Sequence, residues 1–235
     1  MFKRVNRMSK TCVDSSLWVK ICGLTVPDQA VAIASQGASA IGFIAAPKSS
    51  RYVTPPQMQA ISKALIAAGH ADIERVGVFV DASLETLQEA IITGQLTTLQ
   101  LHGQESPNDC RQIRQALPNV KLIKALRIRS DADLTAVQPY ETFIDAILLD
   151  AYHPHLQGGT GETLNWKSLQ AFHPAKPWIL AGGINPGNVN DALELLHPDG
   201  IDLSSGVELS PGHKCLEQTQ MLFEKLSELQ TLQNK

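Results

Sequence analysis

Across 235 residues the sequence has only three tryptophans, three tyrosines and six phenylalanines, and no apolar run approaches the roughly 20 residues of a bilayer-spanning helix. Its four cysteines, Cys12, Cys22, Cys110 and Cys215, form no CxxC pair and no zinc-ligand spacing, so they spell neither a disulfide framework nor a metal site. A reduced, cytoplasmic compartment fits that usage. Basic excess is also missing. The formal net charge of -3 and pI near 6.2 exclude the electrostatic footprint of a nucleic-acid or membrane-surface binder, while leaving small anions open. No GxGxxG turn follows the first expected strand, which argues against a dinucleotide-binding open sheet. Lys3, Arg4, Arg7 and Lys10 lack the apolar segment of a secretory signal. Residues 1–16 read as a flexible N-terminal extension, or as upstream sequence if translation starts at Met8.

What is present is a globular balance, 43% hydrophobic and 18% charged. Short apolar segments alternate with helical ones along the whole chain. Strands are expected at 18–22, 40–45, 75–81, 97–102, 121–127, 146–151, 178–183 and 200–205. Helices are expected at 27–36, 57–68, 84–93, 107–116, 132–138, 166–172, 187–196 and 216–229. The strands are apolar throughout rather than at every second residue, as in a parallel sheet covered on both faces. Eight such units, roughly 22 to 35 residues apart, predict a single-domain (β/α)8 TIM barrel over residues 17–235.

Chemistry in such a barrel belongs at the carboxyl ends of the strands, with interior positions elsewhere packed by apolar side chains. The polar residues at those ends are Cys22, Asp81, His102, Arg127, Asp150, and Asp202 with Ser204. Each has a plainer alternative. A lone strand cysteine usually behaves as a small hydrophobe. Asp81 reads better as a cap for free N–H groups. His102 is equally readable as a hydrogen-bonded structural histidine. Asp150 differs, because the loop after it, AYHPHLQGGTGE, is far too long for a plain connector.

Glycine clusters follow the last two strands: AGGIN at 181–185, containing Gly183, and SSG at 204–206, containing Ser205 and Gly206. Barrels commonly bind phosphate there through backbone N–H groups, and a short helix starting near Val207 would aim its positive end at the anion. Both clusters together point to a phosphorylated ligand. Arg51, in PKSSRY, is a surface charge by default and a second anion contact if its loop returns to the barrel mouth.

Assembled, these residues resemble the N-(5'-phosphoribosyl)anthranilate isomerase family of tryptophan biosynthesis. The resemblance rests on VKICGLT (19–25), GFI and PKSSRYV (42–53), VGVFVD (76–81), LQLHG (99–103), ILLD (147–150), GGTG (158–161), GGINPGNV (182–189) and DLSSGVE (202–208). It implies an Amadori rearrangement without metal or organic cofactor. By the same resemblance Cys22 is the general base, Asp150 the general acid and Arg51 a substrate-anion contact. His102 and Asp202 fall in the substrate-binding wall, and Gly183, Ser205 and Gly206 hold the phosphate. The implied partner is a small phosphorylated substrate, with no nucleic acid or membrane, and the chain acts as a monomer or homodimer. One departure stands out: Cys215 occupies a position where the family usually has Asp, which puts the cap of the last helix in question.

Two rival readings fit the residues less well. The related isomerase of histidine biosynthesis uses a carboxylate where this chain has Cys22, and a catalytically silent phosphate-binding barrel would have no need of both Cys22 and Asp150. A further expectation comes from strand periodicity alone. Lys20 shares the face of Cys22, deeper in the barrel, where an unpaired ammonium is strongly disfavoured. It is therefore expected to pair with Asp202 and to favour the thiolate of Cys22.

Overall fold

A computed structural model describes residues 17–151 and 166–233. Eight parallel strands close on themselves in sequence order: β1 (Trp18–Cys22), β2 (Ala40–Ile44), β3 (Glu74–Phe79), β4 (Thr98–Leu101), β5 (Lys121–Ile128), β6 (Ala146–Ala151), β7 (Trp178–Ala181) and β8 (Gly200–Leu203). β1 and β8 complete the barrel, with Lys20 opposite Asp202 and Ile21 opposite Leu203. Helices α1 (Pro27–Ser35), α2 (Pro55–Ala67), α3 (Leu84–Gly94), α4 (Pro107–Ala116), α5 (Asp131–Thr135), α6 (Trp166–Leu169), α7 (Val189–Leu196) and α8 (Leu216–Gln233) follow the strands in turn.

Local chemistry sets the helix ends. Pro27, Pro55 and Pro107 enter at the first turn, where a missing N–H costs nothing. The Ser106 hydroxyl accepts from the Asp109 N–H at 3.2 Å while Asp109 accepts from the Ser106 N–H at 2.8 Å, a reciprocal cap for α4. α2 starts earlier than expected, at Pro55, α8 ends later, at Gln233, and three helices are shorter. α5 stops at Thr135 and a 3-10 turn follows at Gln138–Tyr140, because Pro139 has no N–H to continue it. α6 ends early, before the extended bias that Pro174 imposes on His173. α7 begins at Val189 rather than Gly187, because the side chains of Asn185 and Asn188 accept from the Gly187 and Asn185 N–H groups and hold that stretch as a loop.

The expected short helix near Val207 is a 3-10 turn at Ser205–Val207, and the chain then forms a small antiparallel ribbon of β9 (Glu208–Ser210) and β10 (His213–Lys214). The last helix starts in spite of Cys215, whose carbonyl accepts from the Thr219 N–H at 3.0 Å and whose sulfur faces Glu217.

The main core lies between barrel and helices, built from the outward residues of the strands, among them Ile21, Ile41, Leu99, Leu149 and Ile201. Inside the barrel the apolar packing is one-sided. Ile123, Ala125, Leu148, Ile179 and Ala181 cluster on β5, β6 and β7, whereas the inward positions of β1, β4 and β8 carry Lys20, Gln100 and Asp202. The interior is thus not the uniformly apolar filling expected from the fold class. Its polar half lies under Cys22.

Candidate active site

Cys22 ends β1 with its side chain inward and 6% of the residue exposed. Room for its sulfur comes from Gly42 on the neighbouring strand, since a Cβ there would lie 2.7 Å from Cys22 Sγ. Directly beneath, Lys20 is fully enclosed. Its Nζ donates to Asp202 Oδ2 at 2.6 Å and to Gln100 Oε1 at 2.9 Å, so the pairing expected from strand periodicity is present. Asp202 Oδ1 is buried and has no hydrogen-bond partner among the described residues.

Because a lysine can only donate, Lys20 fixes the orientation of the Gln100 amide: Oε1 faces the ammonium and Nε2 faces His102 Nδ1 at 3.3 Å. Nδ1 is then the acceptor, and the proton of the neutral imidazole sits on Nε2. That nitrogen lies 3.5 Å from Asp150 Oδ2. One buried lysine therefore sets, through an amide and a ring, which nitrogen of His102 carries the hydrogen, and that buried Nε2 makes no hydrogen bond among the described residues.

On the other side of Cys22, the loop after β2 doubles back. Its Val53 N–H donates to the Ile44 carbonyl at 3.0 Å and the Arg51 N–H to Ser49 Oγ at 3.1 Å, which returns Arg51 to the mouth. Arg51 grips Glu208 with Nε at 2.9 Å from Oε1 and Nη2 at 2.6 Å from Oε2. Buried Lys214 donates to the same carboxylate at 2.6 Å and to the Ser204 carbonyl at 3.1 Å. The Ser204 hydroxyl in turn donates to the Cys22 carbonyl at 3.1 Å, so this second network also ends at Cys22.

The two glycine loops meet. Gly206 packs so closely on the loop after β7 that a Cβ would sit 2.0 Å from the Ile184 carbonyl oxygen. The Gly183 carbonyl accepts from the amides of Asn185 at 3.1 Å and Asn188 at 3.0 Å, and Lys225 of α8 donates to the Pro186 carbonyl at 2.6 Å. Ser205 and Gly206 open the 3-10 turn, where leading N–H groups lack intrahelical partners.

Burial pushes the Cys22 thiol up, and Lys20 and Lys214 pull against it without cancelling it. The expectation that Lys20 favours the thiolate holds for its own effect and not for the net direction. Burial likewise raises Asp202, against the pull of Lys20 and His102. Lys20 loses to burial but gains more from Asp202 and Cys22, so it stays firmly charged. Glu208, although penalised by burial, is held below the usual carboxylate range by Arg51 and Lys214 together.

Of the residues singled out in the sequence, Cys22, Arg51 and Asp202 gather on one side of the mouth and His102 with Asp150 on another. Asp202 lies near enough to both groups to feel each. Asp81 satisfies a free N–H group, but not in the segment that follows it as expected: its Oδ1 accepts from the Gln104 N–H at 2.6 Å in the loop after β4, and α3 is capped by Ser83 instead. Arg127 is exposed and in register with Asp150. GGTG (158–161) and the rest of the loop after β6 lie outside the described residues. Sequence reasoning missed Gln100, Glu208 and Lys214. Gln100 had a usable signal, a polar side chain between Leu99 and Leu101 two residues before His102. Among the described residues, no group of three His, Cys, Asp or Glu side chains could hold a metal ion, and no helix is long and apolar enough to cross a membrane.

Residues 19–225 match the family model described as N-(5'-phosphoribosyl)anthranilate (PRA) isomerase. The chain belongs to the N-(5'-phosphoribosyl)anthranilate isomerase family. Among curated family members, that of Synechococcus elongatus is 54% identical over 211 residues, covering 90% of this chain and 96% of the relative. The Nostoc punctiforme isomerase is 51% identical over 208 residues, covering 88% and 97%. The crystal structure of phosphoribosyl anthranilate isomerase from Thermotoga maritima superposes with a TM-score of 0.80 at 34% identity, covering 90% of this chain and 99% of that one. A family structure in complex with reduced 1-(o-carboxyphenylamino)-1-deoxyribulose 5-phosphate has a TM-score of 0.76 at 32% identity, covering 90% and 99%.

Proposed function

We propose that Cys22 and Asp150 are the base and acid of the family's reaction in this chain. The reaction converts N-(5'-phosphoribosyl)anthranilate to 1-(2-carboxyphenylamino)-1-deoxyribulose 5-phosphate, an aldose–ketose isomerisation in tryptophan biosynthesis. What supports the assignment most is that Cys22 and Asp150 lie at the carboxyl ends of strands of one closed barrel, Cys22 above the Lys20–Asp202 pair and Asp150 3.5 Å from His102.

In this reading the Asp150 carboxyl protonates the ring oxygen as the C1'–O bond breaks, and the nitrogen lone pair forms the C1'=N bond. The Cys22 thiolate then takes the C2' proton. The C2'–H pair becomes the C1'=C2' bond and the C=N pair returns to nitrogen, giving an enolamine. Protonation at C1' with loss of the 2'-hydroxyl proton yields the ketone. Arg51 keeps N–H groups free of Glu208 for the substrate's carboxylate, and His102 with the unpartnered Asp202 Oδ1 faces its hydroxyls. Backbone at Gly183, Ser205 and Gly206 holds the phosphate.

Residues 17–235 form the catalytic barrel in this reading and residues 1–16 lie outside it. The enzyme works in the cytoplasm, as a monomer or homodimer. The test follows loss of the fluorescent substrate with wild type, Cys22→Ala and Asp150→Asn. Each variant is expected to lose about 10²- to 10⁴-fold in kcat while still binding the reduced product analogue. Near-wild-type turnover by either would remove that residue from its role.

A further inference from the structure

Cys22 lies where two buried ion networks converge. From β1 comes Lys20, from the loop after β2 Arg51, from β8 Asp202, from β9 Glu208 and from β10 Lys214. Gly42 on β2 and Ser204 after β8, which also touch it, carry no charge. His102 and Asp150 stand behind Asp202. Three cations face two carboxylates around one thiol, so the cluster is one negative charge short of balance. The sulfur of Cys22 is placed to supply it.

We propose that Lys20 is a positioning residue for the base, its ammonium being the counter-charge on which ionised Cys22 depends, and that Asp202 competes with the sulfur for that charge. The geometry makes the competition direct. The ammonium is fully enclosed, is pinned by Asp202 at 2.6 Å and Gln100 at 2.9 Å, and lies against the thiol two residues along the same strand face. It cannot turn to solvent, so whatever charge Asp202 does not neutralise acts on Cys22. Arg51 and Lys214 share the single carboxylate of Glu208 and so hold the surplus positive charge of the cluster, but of the three cations it is Lys20 that shares a strand face with the sulfur. The inference rests on Cys22 being the base and adds what controls it.

Competition predicts opposite signs for the two partners, which a scaffolding role does not. The measurement is the pH dependence of iodoacetamide alkylation at Cys22, followed by peptide mass spectrometry in wild type, Lys20→Met, Asp202→Asn and the double variant. Lys20→Met should raise the alkylation midpoint by about one to three pH units, and Asp202→Asn should lower it. The double variant, neutral at both positions, should fall between the two single variants. In steady state, the acidic limb of the kcat/KM profile should move with the alkylation midpoint.

An unchanged midpoint in Lys20→Met, or a shift of the same sign in both single variants, overturns the proposal. Should Lys20→Met fail to fold by circular dichroism, Asp202→Asn and the charge-neutral double variant still carry the test. If the midpoints shift as expected but Cys22→Ala retains turnover, the control of the thiol by Lys20 stands and the assignment of Cys22 as base falls.

Discussion

Arg51 and Glu208, 157 residues apart in the chain, meet in a two-pronged ion pair with Nη2 2.6 Å from Oε2. The pair fixes the plane of the guanidinium at the barrel mouth, so the N–H groups left over point in one direction. Charge-assisted hydrogen bonds of this kind contribute about 1.5–3 kcal/mol each. Arg51→Ala should therefore raise KM roughly ten- to a hundredfold, and Arg51→Lys, which cannot reproduce the fork, should recover only part of that. Glu208→Gln should raise KM in the same sense by releasing Arg51. Steady-state kinetics at constant ionic strength checks all three variants.

The same carboxylate links stability to pH. Its folded value lies below that of an unfolded glutamate, about 4.3. The sign follows: its contribution is fully present above the unfolded value and is lost as pH falls through the folded one. Thermal melts of wild type and Glu208→Gln should differ most near neutrality and converge in acid, below about pH 4. A gap that widens on acidification would contradict the assignment of Arg51 and Lys214 as its stabilising partners.

Lys20, Gln100 and His102 form a chain of fixed donors, so neutral His102 should carry its proton on Nε2. Long-range proton–nitrogen correlation spectra report this directly. Gln100→Leu removes the donor to Nδ1 and should mix the two tautomers, lowering kcat more than it changes KM, because the hydrogen on Nε2, the nitrogen 3.5 Å from Asp150, is no longer fixed.

At Gly206 an added methyl meets the Ile184 carbonyl oxygen at 2.0 Å, a contact that backbone must move to relieve. Gly206→Ala should destabilise by about 1–3 kcal/mol, as overpacking does. Because the strain falls between the two loops assigned to phosphate, inhibition by inorganic phosphate should weaken as well. Denaturant titration and competition kinetics measure the two effects separately.

Buried lysines recur in this molecule. Lys124 is 1% exposed and donates to Glu105 Oε2 at 2.7 Å and to the Gly103 carbonyl at 2.9 Å, clamping the loop that follows His102. Lys124→Met leaves buried Glu105 with backbone N–H donors from Asp81 and Gly103 but no counter-charge, and should cost about 3–5 kcal/mol in chemical denaturation.

Alternation of short apolar segments with amphipathic ones was enough to determine a closed eight-stranded barrel, because covered parallel strands and surface helices leave opposite hydrophobic periods in the chain. Strand periodicity also put Lys20 and Cys22 on one inward face, and the cost of burying a lone ammonium was enough to require a partner for it. Tertiary structure decided the rest. Which carboxylate holds Arg51, which amide orients His102, and how Lys214 reaches the barrel mouth depend on residues far apart in sequence that meet only when the barrel closes. Contacts of that kind leave no periodicity to read, since a single hydrogen bond constrains one distance and not a repeating pattern.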